Sequence, residues 1–325
     1  MSDPFDGNLD KFIDYLNLER HVSPYTVRNY ASDLQALFSF LREKGVTSPL
    51  EVDKQGLRQY LSYLYDKHIV KSSVARKQSA IRSFYRFLKR EGVVKESPIP
   101  LTRKGGRLSA FSIKLERRLP SFLTVEETVW LLNTPDLTTL QGQRDRAIME
   151  LIYASGLRIS EMEKLNLEQV NFSTREVRVW GKGRKERVVL MGEPAAGYLS
   201  SYIGHARRRL LGDKQENAVF INRYGERLTA RMVQKMLHKR AQEAGIKKEV
   251  HPHTLRHTFA THMLDGGADL RVVQELLGHS QLSSTQIYTH VTKSQARKVY
   301  LAAHPLARDE GGDDNGQAAN NTPED

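Results

Sequence analysis

The amino-acid sequence contains no cysteine among its 325 residues. This absence excludes disulfides, thiolate metal ligands and a cysteine nucleophile, and it is typical of proteins in a reducing compartment. No stretch approaches the roughly 18 consecutive apolar residues of a membrane span. The opening stretch MSDPFDGNLD is acidic and lacks the basic and then apolar order of a secretory signal. We therefore expect a soluble, cytoplasmic protein that does not enter a membrane.

Sequence motifs for nucleotide hydrolysis and metal binding are also missing. The sequence has no GxxxxGKS/T loop to cradle nucleotide phosphates. Histidines at 251, 253, 257 and 262 suggest a zinc site, because His253 and His257 could share one helix face, but neither a cysteine nor an HExxH glutamate accompanies them. We therefore predict no cofactor and no metal. His257 is interpreted as a buried structural histidine or a reserve hydrogen-bond donor.

Positive charge is what the sequence has in excess. The net charge is +12, from 50 lysines and arginines against 38 acidic residues. Residues 308–325 hold six acidic residues and one arginine, a local balance of −5, so residues 1–307 carry +17. Such an excess favours a polyanionic partner, because phosphate contacts release counterions and the attraction speeds encounter. The alternative is a basic protein that is merely soluble.

Within residues 1–100, the 3.6-residue periodicity of apolar side chains predicts four helices joined by short loops. Ser23 followed by Pro24 predicts the start of the second helix, and Gly45 predicts its end. The fourth helix is predicted over Lys71–Arg90, a segment with seven basic side chains and no acidic one. We interpret this region as a helical DNA-binding domain.

The predicted fourth helix has an apolar side and a basic side. At about 100° per residue, the cations that share the basic side are Arg76, Arg82, Arg86, Lys89 and Arg90. Solvated helix faces usually mix charges of both signs, whereas this side carries only one sign. We expect it to lie along DNA, and a solvated polar face is the alternative.

The sequence predicts three further regions after the helical domain. From 98 to 120 it is rich in proline, glycine and basic residues without a sustained period, which indicates an interdomain linker over 101–120. Residues 121–307 are expected to form a second domain. Residues 308–325, polar and acidic, are expected to be a disordered tail.

The second domain mixes helices with a short β-hairpin. It opens with Thr124 and Glu127, spaced as a capping box. One helix is expected to end at Gly156, and residues 177–191 alternate like two strands joined by a glycine-bearing turn. The predicted fold class is mainly α with a small β-sheet or hairpin in the C-terminal domain.

Six polar residues of the second domain occur in an order that few unrelated proteins share. They are Arg158 in ASGLRISE, Lys182 in GKGRKER, His253 and Arg256 in HPHTLRH, His279 in LLGHS and Tyr288 in STQIYTH. Together they resemble the tyrosine recombinase (phage integrase) family, and their spacings resemble its Xer-type bacterial members. The resemblance covers residues 8–305. It implies a SAM-like four-helix core-binding domain followed by a tyrosine recombinase catalytic domain.

The chemistry of DNA strand cleavage explains why these residue types belong together. Attack on a phosphodiester concentrates negative charge on the non-bridging oxygens, which the planar, permanently charged guanidinium groups of Arg158 and Arg256 suit. Tyr288 is the predicted nucleophile, although a lone tyrosine on an amphipathic helix is more often part of a core. Its phenol, with a reference pKa of about 10, needs a proton acceptor, and His253 suits that role. His279 is expected to hydrogen-bond a phosphoryl oxygen.

The leaving sugar oxygen needs a general acid on the side opposite the phenol. Lys182 lies between two glycines at the tip of the predicted hairpin, where it could deliver an ammonium group. Lys185 is the local competitor, and the family pattern favours Lys182. Glu161, about one helical turn after Arg158, either orients a catalytic side chain or is an ordinary surface carboxylate.

The resemblance implies a site-specific DNA recombinase that works through a 3′-phosphotyrosyl intermediate and a Holliday junction, in Xer-type resolution of chromosome or plasmid dimers. The resemblance implies a tetramer on two double-stranded DNA sites, formed by this chain alone or with a related recombinase, and a DNA translocase as a candidate partner. In relatives, a segment like residues 293–303 docks onto a neighbouring protomer. The alternatives are a mobile-element integrase, a topoisomerase-like nicking and closing enzyme, and a catalytically silent DNA-binding regulator.

Overall fold

The computed structural model describes residues 3–20, 22–100, 122–181, 186–278 and 293–307. The predicted linker, the acidic tail and the residues Lys182, Lys185, His279 and Tyr288 lie outside the described residues. The chain divides into two compact units, Met1–Arg117 and Arg118–Asp325. Each unit has its own hydrophobic core.

The described part of the first unit is helical. Its helices are α1 Pro4–Asp14, α2 Pro24–Glu43, α3 Lys54–Asp66 and α4 Lys71–Arg90, and a π-helical turn over Tyr15–Glu19 follows α1. The Ser23 hydroxyl accepts a hydrogen bond from the Thr26 backbone N–H at 3.2 Å, and Pro24 occupies the first turn of α2. Gly45 has a φ of 80° just after α2, in the left-handed region that glycine tolerates. The predicted start and end of α2 are therefore confirmed.

Aromatic side chains fill the core of the first unit. The Phe5 and Phe38 ring centroids are 4.6 Å apart, and the Phe84 ring lies 5.4 Å from Phe12 and 5.5 Å from Phe38. All four rings are buried. Because Phe84 belongs to the apolar side of α4, its packing turns the opposite, basic side of α4 away from the core.

The second unit arranges helices and a small sheet around a larger core. Its helices are α5 Val125–Asn133, α6 Leu140–Ser155, α7 Ile159–Glu163, α8 Glu193–Ser201, α9 Arg208–Leu211, α10 Ala230–Glu243, α11 Pro252–Asp265, α12 Leu270–Leu277 and α13 Lys293–Ala303, and its strands are β1 Val170–Asn171, β2 Glu176–Trp180 and β3 Glu186–Leu190. The predicted fold class, mainly helical with a small C-terminal sheet, is confirmed. None of the described helices is both long and apolar enough to cross a bilayer.

The sheet carries the hairpin that the sequence predicted. Its strands are antiparallel in the order β1-β2-β3, and in the hairpin Val177 pairs with Val189 and Val179 with Arg187. The three valines are buried. Since side chains alternate across a strand, Arg187 shares the inner face of the sheet with them. Strands β2 and β3 flank residues 181–185, which include Lys182.

Gly156 shapes the junction between α6 and α7. It ends α6 with a φ of 59°. A Cβ added to Gly156 would lie 2.6 Å from a ring carbon of Phe259 and 2.8 Å from a methyl carbon of Leu277. Glycine therefore lets α11 and α12 close over the end of α6. Arg158, two residues later, is the N-cap residue of α7.

Helix α13 packs against α11 and α12 of its own chain. Tyr300, His304 and Ala307 are buried, and the His304 ring centroid lies 4.8 Å from that of Tyr153. Burial lowers the pKa of His304 to about 4, so its ring is neutral at physiological pH. The described C-terminal helix is thus anchored in its own unit, and docking of this segment onto a neighbouring protomer stays a prediction.

Candidate active site

Three backbone carbonyls at the C-terminal end of α12 accept hydrogen bonds from three different arginines. The donor and acceptor pairs are Arg187 with Leu276 at 2.5 Å, Arg256 with Leu277 at 2.5 Å, and Arg158 with Gly278 at 3.1 Å. The last carbonyls of a helix have no partner within the helix and carry the negative end of its dipole, so this terminus attracts cations. The structure thereby brings together Arg158 and Arg256, two residues that the sequence predicted to hold a phosphate.

Glu161 orients Arg158 from the first turn of α7. One Glu161 oxygen accepts a hydrogen bond from Arg158 Nη1 at 2.8 Å, and the other accepts from the Arg158 backbone N–H at 2.9 Å. Glu161 is buried, which disagrees with the alternative of a surface carboxylate. Its contacts show that it fixes a predicted site arginine by both the side chain and the backbone.

Arg256 is buried in α11, one turn from its start. Besides Leu277, its guanidinium group donates to the backbone carbonyl of Gly156. Burial, followed by the nearby charges of Arg158 and Arg187, lowers the pKa of Arg256 to about 10. Arg256 therefore remains a cation at neutral pH. An arginine has five N–H donors, and these two carbonyls leave further donors for an anion.

The charge balance of this cluster favours an anion. Burial opposes ionisation of Glu161, but hydrogen bonds from Arg187 and from the Arg158 backbone outweigh it and leave the Glu161 pKa lowered. Glu161 is thus ionised near neutral pH. Three guanidinium groups around one carboxylate leave an excess of positive charge, already oriented before substrate binds.

Of the remaining predicted site residues, His253 shares helix α11 with Arg256, and His279 is adjacent in sequence to Gly278. His253 is exposed in the first turn of α11, three residues before Arg256, so the two project from neighbouring positions of that helix. His279 directly follows Gly278, whose carbonyl Arg158 contacts. Tyr288 and Lys182, like His279, lie outside the described residues.

Two further histidines of α11, His257 and His262, differ in how deeply they are buried. His257, predicted to be a buried structural histidine or a reserve hydrogen-bond donor, is half-buried, which disagrees with the first alternative; its ring lies edge-on to Phe122, with the ring centroids 6.2 Å apart. The buried histidine of α11 is His262, whose ring nitrogens lie 2.9 Å from the Tyr153 hydroxyl and 2.9 Å from the Leu123 carbonyl oxygen. Burial lowers its pKa. Among the described residues, no group of three or more histidines and carboxylates is arranged to hold a metal ion.

Sequence reasoning missed Arg187. It lies at a position of β3 that alternation assigns to the inner face, beside buried valines. A charged residue on the inward side of a strand is a recognisable signal, because unpaired charges are rarely buried. The signal was difficult to recognise because Arg187 ends the stretch GKGRKER, which holds three other basic residues.

On the basic side of α4, Arg76 and Arg90 form ion pairs with acidic side chains of the first unit. Arg76 forms an ion pair with buried Asp33, and Arg90 contacts Glu19 at 2.8 Å while its guanidinium carbon lies 4.1 Å from the Tyr15 ring centroid. Both cations therefore also stabilise the fold. In the rest of the predicted set, Arg82 is half-buried and both Arg86 and Lys89 are exposed.

Both units match parts of one protein family. The description "Phage integrase family" matches residues 121–295, and "Phage integrase, N-terminal SAM-like domain" matches residues 9–92. Tyrosine recombinase XerC of Oceanobacillus iheyensis is 43% identical over 301 residues, covering 92% of this chain and 96% of that protein. Tyrosine recombinase XerD of Staphylococcus saprophyticus is 41% identical over 302 residues, covering 93% of this chain and 100% of that protein.

Solved structures show the same fold. The XerH site-specific recombinase bound to palindromic difH substrate, in a post-cleavage complex, has a TM-score of 0.69 at 21% identity and covers 93% of this chain and 97% of that one. The Tn1549 transposon integrase in complex with a circular intermediate DNA has a TM-score of 0.66 at 17% identity and covers 90% of this chain and 98% of that one.

The SAM-like helical unit, the integrase-type second unit and the paired arginines define a tyrosine recombinase. The chain belongs to the phage integrase family, and within it to the Xer-type tyrosine recombinases, which are site-specific recombinase enzymes. The predicted family and enzyme class are confirmed.

Proposed function

We propose that this chain binds a double-stranded DNA recombination site, cuts one strand with Tyr288 and rejoins it to a partner strand. The observation that carries the proposal is the meeting of Arg158 and Arg256 at the C-terminal end of α12. Two oriented guanidinium groups in a site with excess positive charge suit the non-bridging oxygens of a phosphodiester. The name of the XerH structure, which reports a bound difH substrate after cleavage, supports DNA as the substrate.

The proposed cleavage step exchanges one phosphate ester for another. The Tyr288 oxygen attacks phosphorus and gives its proton to His253, while the bond between phosphorus and the sugar 5′-oxygen breaks. Lys182 protonates the departing oxygen, so the products are a 3′-phosphotyrosyl enzyme and a free 5′-hydroxyl. Arg158, Arg256 and His279 stabilise the charge on the phosphoryl oxygens, with Glu161 holding Arg158.

Rejoining is the same reaction in reverse. The 5′-hydroxyl of a partner strand attacks the phosphotyrosine, its proton returns to Lys182, and the phenol recovers a proton from His253. Because the ester bond is conserved at every stage, the exchange needs no nucleotide hydrolysis. Two successive pairs of exchanges pass through a Holliday junction.

The biological role we propose is resolution of chromosome or plasmid dimers in the cytoplasm. The named relatives, XerC and XerD tyrosine recombinases that match over nearly their whole length, support this role over that of a mobile-element integrase. We propose a tetramer on two sites, made of this chain alone or with a related recombinase, and a DNA translocase as a candidate activator.

The wild-type protein tests this proposal directly. When it is incubated with a labelled DNA site that carries a nick next to the scissile phosphate, it should become covalently trapped. Cleavage then releases the short fragment that bears the 5′-hydroxyl, and this fragment diffuses away and cannot reseal the strand. Two differently labelled sites should then exchange strands. Trapping without exchange would indicate a topoisomerase-like enzyme, and DNA binding without trapping would indicate a silent regulator.

We also propose that the basic side of α4 contacts the DNA backbone, with unequal contributions from its cations. Exposed Lys89 should bind phosphate at full charge, whereas Arg90 is already partly neutralised by Glu19 and Glu91, each 2.8 Å away. Lys89→Gln should weaken binding to all sequences and lower the slope of log affinity against log salt by about one. Arg90→Gln should lower that slope less. Fluorescence anisotropy at several salt concentrations measures both slopes, and equal changes would contradict the proposed inequality.

A further inference from the structure

Two arginines share the buried carboxylate of Glu161. Oε1 accepts a hydrogen bond from Arg158 Nη1 at 2.8 Å, and Oε2 accepts one from Arg187 Nη2 at 2.7 Å. The side chain of Arg158 is 32% exposed, whereas those of Arg187 and Glu161 are 14% and 2% exposed. Arg158 can therefore reach a substrate, and Arg187 lies deeper and holds the other carboxylate oxygen.

The same two arginines also share the C-terminal end of α12. Arg187 Nη1 donates to the Leu276 carbonyl at 2.5 Å, and Arg158 Nη2 donates to the Gly278 carbonyl at 3.1 Å. The Arg187 stem passes Gly278 so closely that a Cβ there would lie 2.6 Å from Arg187 Cδ. The Glu161 carboxylate and the α12 terminus both hold the Arg158 guanidinium group, and Arg187 contacts both of them.

These contacts place Arg187 directly behind a residue of the proposed phosphate site. We propose that Arg187 is a positioning residue for Arg158: it fixes Glu161 and the end of α12, and these two groups set the direction in which the Arg158 guanidinium group meets a phosphate oxygen. Arg187 acts through Arg158 and needs no contact of its own with DNA. The inference deepens the proposed function and rests on it.

Packing alone does not explain an arginine at this position of β3. Arg187 pairs in register with Val179, whose side chain is buried, so an aliphatic side chain would fill the site without burying a charge. It also adds to the positive charge that, after burial, lowers the pKa of Arg256. An arginine suits the positioning role because its planar fork directs two donors to separate acceptors, a backbone carbonyl and a carboxylate, which a lysine ammonium group on a flexible stem does less well.

Arg187 also favours the charged form of Glu161. Burial raises the Glu161 pKa, but the hydrogen bond from Arg187 is the largest of the effects that lower it, and the net shift is downward. A carboxylate attracts the Arg158 guanidinium cation, whereas an uncharged carboxyl group does not. Loss of Arg187 should therefore weaken the hold on Arg158 as well as loosen its geometry.

A double-mutant cycle tests whether Arg187 acts through Arg158. The measured rate is that of single-turnover cleavage of the nicked DNA site, with the protein in saturating excess so that DNA affinity does not enter. Arg187→Met should slow cleavage by about 10²-fold, the cost that a misplaced catalytic group can carry. Arg158→Lys should slow it by about 10²-fold to 10³-fold. The double variant should cleave within about threefold of the rate of Arg158→Lys alone, because the direction of the fork no longer matters once the fork is gone.

General damage to the fold would give a different pattern. A variant that only loosens the unit loses the same fraction of its rate with or without Arg158, so the two losses would multiply to about 10⁴-fold to 10⁵-fold. Arg178→Met is the matched control: it replaces an exposed arginine on the outward face of β2 and should cleave at the wild-type rate. If Arg187→Met does not fold, Arg187→Lys supplies the cycle. It keeps the charge but not the fork, and it should show a smaller loss that again does not multiply with that of Arg158→Lys.

The outcomes distinguish this inference from the proposed function. Wild-type protein that forms no adduct overturns the proposed function itself. Wild-type protein that forms the adduct, together with Arg187 variants that cleave at the wild-type rate or whose losses multiply with that of Arg158→Lys, overturns only the positioning role of Arg187. A loss that disappears once Arg158 is replaced supports the inference.

Discussion

Replacing Tyr288 with phenylalanine is expected to abolish covalent trapping on nicked DNA while leaving salt-sensitive DNA binding intact. The substitution removes one oxygen atom, the proposed nucleophile, and keeps the ring. Loss of a nucleophile from a site whose residues act as a unit costs about 10⁴-fold to 10⁶-fold in rate. Denaturing gel electrophoresis of labelled DNA measures the adduct, and gel shifts at several salt concentrations measure binding.

Tyr198→Phe is the matched control for this experiment. Tyr198 lies on α8, where the Arg146 guanidinium carbon is 4.3 Å from its ring centroid. Phenylalanine keeps that ring, so this variant should form the adduct at the wild-type rate. Adducts that persist in Tyr288→Phe would refute the assignment of the nucleophile and direct attention to another hydroxyl group.

Arg256→Lys is expected to slow cleavage by about 10²-fold to 10³-fold, the usual cost of removing one donor aimed at developing negative charge. Lysine keeps the charge but loses the planar fork, so it cannot satisfy the Gly156 and Leu277 carbonyls and a phosphate oxygen together. Because lysine keeps the positive charge, overall DNA affinity should change little. Single-turnover cleavage and equilibrium binding separate these two effects.

Arg207→Lys tests whether the loss of cleavage is specific. Arg207 is another buried arginine of the same unit, and it donates to the backbone carbonyls of Ala218 and Val219 at 2.9 and 3.2 Å. Both lysine variants should lower the melting temperature, since each removes hydrogen bonds from buried carbonyls. At a temperature where both are folded, only Arg256→Lys should lose cleavage. If the two variants lost the same fraction of the cleavage rate, the role of Arg256 would be to stabilise the fold and not to act in cleavage.

Features that depend on residues close together in the chain could be predicted from the sequence. Helix α4 spans Lys71–Arg90 as its periodicity indicated, and Thr124 and Glu127 form the predicted capping box. Gly156 ends α6, as the sequence predicted, and the structure adds that it does so in the left-handed conformation. Caps, turns and amphipathic faces are set by side chains within one or two turns of each other, so spacing alone reveals them.

Contacts between distant segments were the part that spacing could not reveal. The pairing of Arg76 with Asp33 joins two helices, and it changes how the basic side of α4 is understood. The two-residue strand β1 is too short to show an alternating pattern. His262, rather than His257, is the buried histidine of α11 because of where Tyr153 and Leu123 lie in the fold.

The sequence by itself determined the family, the reaction class and the identity of the candidate site residues, because motif order and residue chemistry are written along the chain. Only the tertiary structure decided that the end of α12 gathers Arg158 and Arg256, and that Arg187 joins them there. The physical reason is that a helix terminus offers unpaired carbonyls in three-dimensional space. Which cations reach those carbonyls depends on how distant segments pack.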